Sequence, residues 1–172
     1  GAGAILLESR EHAERRGARI RGEVLAATAR CETRARRDGL TGGSLRQAIR
    51  GVCAAAGLSR DDVGHVNAHG VSTVEMDRVE AQAIAAELGD VPVTAPKSSF
   101  GHLGAGGGVV ELAASILGLG QGLVPPTLNY QTPDPECPVN VVSGEPLAGR
   151  PATVVKVNVC STGQAVAVAI RA

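Results

Sequence analysis

Between Ala95 and Gly108 the chain reads APKSSFGHLGAGGG, a lysine and a histidine five positions apart that run into five glycines within eight residues. A second histidine, His69, has a similar setting in NAHGVST, Asn67–Thr73, where glycine and hydroxyl residues follow it. Neutral imidazole offers one donor and one acceptor, lysine a point charge, and glycine a backbone that can approach closely. A phosphate cradle is the first chemistry to test against this pattern. A P-loop needs GxxxxGK[ST], and no lysine follows these glycines; a GxGxxG fingerprint can start at Gly104 and Gly106, but its third glycine falls on Val109. The pattern therefore favours a site built on His69 and His102. Each histidine follows an expected strand, and in open α/β sheets ligands sit outside the carboxyl ends of strands, where two such histidines can converge.

The elements that must hold these residues can be read from periodicity. Ala4–Leu7 is a strand candidate, ESREHAERRG a polar helix stopped by Gly17, and Ile20–Ala26 a second strand. Leu45, Ile49, Val52, Cys53 and Ala56 recur at helical spacing, with Ser44 as N-cap and Gly57 as stop. Val63–Asn67 reads as a strand, Asp77–Leu88 as a helix closed by Gly89, Val91–Thr94 as a short buried strand, and Gly107–Leu119 as a buried helix ended by the prolines of VPPTLN. Strands follow at Val139–Val142, Thr153–Val159 and Ala165–Ile170, the last two as a hairpin. Helices alternating with strands imply a mixed α/β sheet covered on both faces.

Composition narrows the partners. The 172 residues suit one domain, and 17 basic residues balance 17 acidic ones, which gives no electrostatic reason to expect nucleic acid or an anionic membrane. The basic run Arg30–Arg37 reads as a solvated surface segment. Cys31, Cys53, Cys137 and Cys160 lack CxxC spacing, so free thiols in a reducing cytoplasm and no metal site are expected. No stretch of about 18 apolar residues or signal-like start occurs. The opening GAGAILLES enters directly into an apolar run, as expected of a sequence cut from a longer one.

VNAHGVSTVEMDRVEAQAI, from Val66, and VTAPKSSFGHLGAGGGVVELAASILGLGQGLVPPTLNYQTPDPEC, from Val93, together resemble the C-terminal half of an elongating β-ketoacyl-acyl-carrier-protein synthase of the thiolase-like superfamily. The opening residues 1–20 resemble the segment that joins the two halves of such enzymes. The resemblance implies an α/β thiolase-like half with a mixed five-stranded sheet and helices on both faces. Residues 1–172 would form a single C-terminal domain, with 1–20 as the end of the preceding N-terminal half.

It also implies a reaction, a decarboxylative condensation of an acyl thioester with a malonyl thioester. By resemblance, His69 and His102 donate hydrogen bonds to the oxygen on which charge develops. Lys97 tunes that site with Glu111 as its charge partner, and Ser72 and Thr73 line the pantetheine tunnel. No cofactor is implied, because the substrate itself carries phosphopantetheine. The implied partners are an acyl carrier protein bearing a malonyl or acyl thioester, and the N-terminal half or a second copy of the chain, since an isolated half would leave an apolar face bare.

Two departures from the family outweigh the milder ones, among them Val71 in place of the threonine usual after HG. The nucleophilic cysteine of a Thr-Ala-Cys-Ser-like motif is absent, so the chain alone is expected not to condense anything. Where the family has a Gly-Phe-Gly-Gly-Thr-Asn turn, this chain has NVCSTGQAV, Asn158–Val166. That stretch is also similar to the C-terminal Cys-x-Gly region of degradative thiolases, but Leu103 stands where those enzymes carry proline. Cys160 is thus expected to be a diverged gate position, with a catalytic thiol as the lesser alternative. A non-catalytic, chain-length-factor-like partner and an inactive fragment are the alternative readings.

Overall fold

The computed structural model describes residues 1–32 and 39–172, so most of the basic run Arg30–Arg37 lies outside the described residues. In chain order the elements are α1 (Arg10–Arg15), β1 (Glu23–Cys31), α2 (Gly43–Ala56), β2 (His65–Asn67), α3 (Val74–Leu88), β3 (Pro92–Thr94), α4 (Lys97–Phe100), a 3₁₀ turn (Gly104–Gly106), α5 (Gly107–Leu119), β4 (Leu123–Val124), β5 (Asn140–Val141), β6 (Leu147–Ala148), β7 (Thr153–Val159) and β8 (Gln164–Arg171). Six strands form one sheet in the order β1-β8-β7-β2-β3-β5, and β4 pairs with β6 apart from it. The pairs β1–β8 and β7–β8 are antiparallel; β7–β2, β2–β3 and β3–β5 are parallel. The sheet is mixed, with one strand more than the five expected, because both the edge strand β1 and the two-residue β5 join it.

Strand alternation sorts the sheet's two faces. Val155, Val157 and Val159 of β7 pack with Ala165, Ala167 and Ala169 of β8 against Leu45, Ile49 and Val52 of α2 and Ile84 of α3. The alanines of β8 are small, which lets α2 lie close to the strands. Val154 and Ile170 face the other way, onto Leu112, Ile116 and Leu119 of α5. Helices thus cover both faces, and Lys156 and Asn158, in register with Val154, belong to the α5 side.

The strand expected at Ile20–Ala26 runs instead from Glu23 to Cys31, the helix expected from Asp77 starts at Val74, and two further expectations fail. Ser44 is buried inside α2, not its cap; Gly42, at φ +75°, holds that place. The helix's free amides are met instead by Glu32, whose carboxylate accepts from Ser44 N–H and from the Thr41 backbone and hydroxyl. Burial pushes the Glu32 carboxyl up, but these donors together hold it below its ordinary value. Ala4–Leu7 is not a strand. Just before it Gly1 lies against Leu103 and Gly3 against Val109 and Val110 of α5, and Leu6 and Leu7 are exposed.

Ile49 is fully buried at the centre of the larger cluster. Replacing it by alanine is expected to lower stability by about 2–5 kcal/mol, read from the midpoint of urea unfolding; a loss below about 1 kcal/mol would contradict this placement.

Candidate functional site

His69 lies just past the carboxyl end of β2, and its position is fixed by charged side chains. Glu80 of α3 accepts from His69 N–H at 2.5 Å and from Gly70 N–H at 2.8 Å. Lys156 Nζ donates to Ala68 C=O at 3.1 Å, and Lys97 Nζ donates to His69 C=O at 2.5 Å. Every hydrogen-bonding atom of the two peptide groups that flank His69 therefore meets a charged side chain. One residue earlier, Ala68 N–H donates to Thr94 C=O and continues the ladder to β3.

The two lysines meet on one carboxylate. Glu111 of α5 is fully buried, with Lys97 Nζ 2.6 Å from Oε1 as an ion pair and Lys156 Nζ donating to Oε2 at 2.5 Å. An isolated buried charge would be prohibitive, so the carboxylate is tenable only with such partners. Burial lowers Lys156 to about 8, against the upward pull of Glu111. Burial likewise raises Glu80 and Asp77 above the ordinary carboxylate range, against the amides that bond to them.

Burial and then the Lys97 charge lower His69 to about 4, which leaves its ring neutral at physiological pH. Two neighbours compete for its Nδ1, with Asn158 Oδ1 at 3.1 Å and Lys97 Nζ at 3.3 Å. An ammonium can only donate, whereas an amide presents either its oxygen or its NH₂ after a half-turn. The ammonium needs a lone pair on Nδ1, whereas Asn158 Oδ1 as placed accepts from an N–H there, so an Nδ1 that serves Lys97 requires the amide to present its NH₂ and puts the ring proton on Nε2. The ring is then a hydrogen-bond donor through Nε2.

His102, in the loop after α4, places its ring centroid 6.2 Å from that of His69, edge-on at 90°. Beside it runs a cleft of about 670 Å³ lined by Ser72, Thr73, Lys97, His102, Tyr130 and Cys137 among others. Ser72 takes φ +65°, a conformation that non-glycine residues rarely adopt, while Asp77 Oδ1 accepts from its N–H and that of Val71 at 3.2 Å. The six residues singled out from the sequence thus lie around one region: Lys97 and Glu111 behind His69, and His102, Ser72 and Thr73 at the cleft. Cys160 sits in the exposed β7–β8 turn, where Gly163 N–H donates to its carbonyl, and it does not line the cleft. Among the described residues no group of three or more His, Cys, Asp or Glu side chains is arranged to hold a metal ion, and no helix is long and apolar enough to cross a membrane.

Sequence reading missed three members of this arrangement: Lys156, Asn158 and Glu80. The signal for the first two was the alternation in TVVKVNV, which marks both as sharing a face. It also left the purpose of the glycines open. A Cβ on Gly108 would lie 2.7 Å from Asn158 Nδ2, and one on Gly107 would lie 3.1 Å from Glu111 Oε1. The glycines at the start of α5 therefore admit polar side chains where a phosphate cradle would admit a ligand.

The sequence and the fold have counterparts among known proteins. Residues 21–131 match the family model described as "Beta-ketoacyl synthase, C-terminal domain", well over half of the chain. The chain is 37% identical over 153 residues to 3-oxoacyl-[acyl-carrier-protein] synthase 2 of Synechocystis sp., covering 84% of this chain and 36% of that protein. It superposes on the ishigamide ketosynthase/chain length factor with a TM-score of 0.88 at 29% identity, over 95% of this chain and 41% of that one. It also superposes on a ketosynthase in complex with its type II polyketide acyl-carrier protein and bound to a hexaketide, with a TM-score of 0.87 at 31% identity, over 96% and 42% of the two chains. The chain thus spans little more than a third of the length of the curated relative and about two fifths of the solved structures.

If Gly108 makes room for Asn158, then Gly108→Ala should displace the amide from His69 while the fold survives. Histidine side-chain NMR is expected to show a shifted His69 resonance, with those of exposed His12 unmoved; an unmoved His69 would contradict the packing.

Proposed function

Because the chain belongs to the β-ketoacyl synthase family, whose C-terminal domain it carries, we propose that it is the C-terminal part of a 3-oxoacyl-[acyl-carrier-protein] synthase. The reaction is decarboxylative Claisen condensation in fatty-acid or polyketide synthesis. The observation that carries this reading is the pair of histidine rings 6.2 Å apart, with a neutral His69.

In this reading a malonyl thioester, tethered to its carrier protein through phosphopantetheine, enters the cleft past Ser72 and Thr73. Loss of carbon dioxide leaves the electron pair of the broken C–C bond on the α-carbon, delocalised onto the thioester oxygen. His69 Nε2–H and a ring N–H of His102 donate to that oxygen, where charge grows as the bond breaks. Lys97 and Glu111 lie behind His69 and hold its donor face forward. The α-carbon then attacks an acyl thioester on a cysteine supplied by an N-terminal half, a C–C bond forms, and the cysteine thiolate leaves. Preorganised donors of this kind contribute about 2.7–4 kcal/mol each to lowering the barrier.

A chain-length-factor-like role is the second reading. The observation that favours it is the turn at Cys160–Gly163, exposed from Cys160 to Thr162 and without an aromatic gate. Retention of two converging histidines favours catalysis over it.

The two readings separate in an assay of carbon dioxide release from malonyl-carrier protein, run on the chain supplemented with a ketosynthase N-terminal half. Catalysis predicts release that falls about 10²–10³-fold in His102→Ala and in His69→Ala. Release equal in all three proteins would overturn it.

A further inference from the structure

Lys156 is a lysine in a run of valines, 3% exposed, and no feature of the reaction above requires it. Lysine is almost never this buried unless it is paired. Lys97 already neutralises Glu111, so charge balance at Glu111 alone does not explain a second lysine on the same carboxylate. Its other bond supplies the reason: Nζ reaches Ala68 C=O, the carbonyl that precedes His69. In the sheet Lys156 stands opposite Asn67, and two residues on, the same face of β7 presents Asn158 to the His69 ring. One strand thus grips the backbone of the histidine with one side chain and its imidazole with the next.

We propose that Lys156 is a positioning residue for His69, acting through Ala68 C=O and through the carboxylate of Glu111. This deepens the reading of the His69 site given above and rests on it. The charged and titratable groups around His69 are Lys97 from α4, Lys156 from β7, Glu111 from α5, Glu80 and then Asp77 from α3, and His102 from the loop after α4. Two lysines oppose two buried carboxylates: Lys97, Lys156 and Glu80 converge on one short stretch of backbone, and Glu111 joins the two lysines behind it. Removing Lys156 strips Ala68 C=O of its donor and leaves Glu111 with a single cation, so the surroundings of the ring become more negative. His69 then takes up a proton at higher pH, and the imidazolium no longer has an Nδ1 lone pair to accept from the Lys97 ammonium.

The test follows the His69 imidazole by NMR in the 172-residue chain with labelled histidine, comparing the unmodified protein with Lys156→Met and Lys156→Gln. Glutamine keeps an N–H donor without the charge. The proposal expects the His69 midpoint to rise by roughly one pH unit in both variants, with exposed His12 as the unmoved control. The unmodified chain gives a reading that no folding failure can remove: as pH rises through about 8, where Lys156 loses its proton, His69 should show a second inflection that His12 lacks. An unchanged midpoint in either folded variant, or the absence of that inflection, overturns the proposal. A lower melting temperature with an unmoved His69 would mean a purely structural lysine and overturns it as well. Carbon dioxide release is measured on the same samples. Release indifferent to His102→Ala would sink the enzymatic reading and leave the His69 titration result standing, so the two can fail separately.

Discussion

A fully buried carboxylate sets the terms for the rest of this structure. Glu111 has no solvent to hydrate its charge, and taking such an ion out of water costs on the order of several kcal/mol. Two lysines offset that cost, and each reaches it from a different part of the fold: Lys97 from the short α4 after β3, Lys156 from the middle of β7. Each lysine spends a second bond on the backbone beside His69. Satisfying Glu111 and fixing His69 are therefore one structural event. The backbone carbonyl of Glu111 joins in by accepting from the Asn67 amide on β2, whose NH₂ also reaches Ser115.

The arrangement needs the mixed sheet. Parallel pairing of β2 with β3 and β7 brings three strands to finish near one edge, and α3, α4 and α5 each contribute a charged side chain to that edge. Alternation then assigns roles. The odd positions of β7 build the core with α2, and the even positions Lys156 and Asn158 turn to α5 and the histidine. One face supplies apolar burial for stability and the other supplies the polar grip. His65, two residues before Asn67 on the same face, is buried with its Nε2 3.3 Å from Ser115 Oγ, and burial lowers it to about 4. It is a neutral packing histidine, distinct from His69 and from the cleft-lining His102.

How much of this was legible depended on whether the signal was local. Helices α3 and α5 and the β7–β8 hairpin follow from periodicity and glycine stops, and His69 and His102 stand out through short motifs. The N-terminus of α2 was misassigned because its cap comes from Glu32, a residue remote from the helix start that no local pattern marks. Lys156 was not singled out, since alternation says that two residues share a face and not what that face meets. Its buried role depends on Glu111, 45 positions away, and on the register that pairs β7 with β2. The glycines before α5 were legible as a need for space, but the occupant of that space, an asparagine on another strand, was not.

The account rests on His69 being a neutral donor whose Nδ1 yields to the Lys97 ammonium. The ¹⁵N chemical shifts of its two ring nitrogens near neutral pH test this directly. The account predicts a bare Nδ1 and a protonated Nε2. A proton on Nδ1, or an imidazolium with protons on both nitrogens, would contradict it.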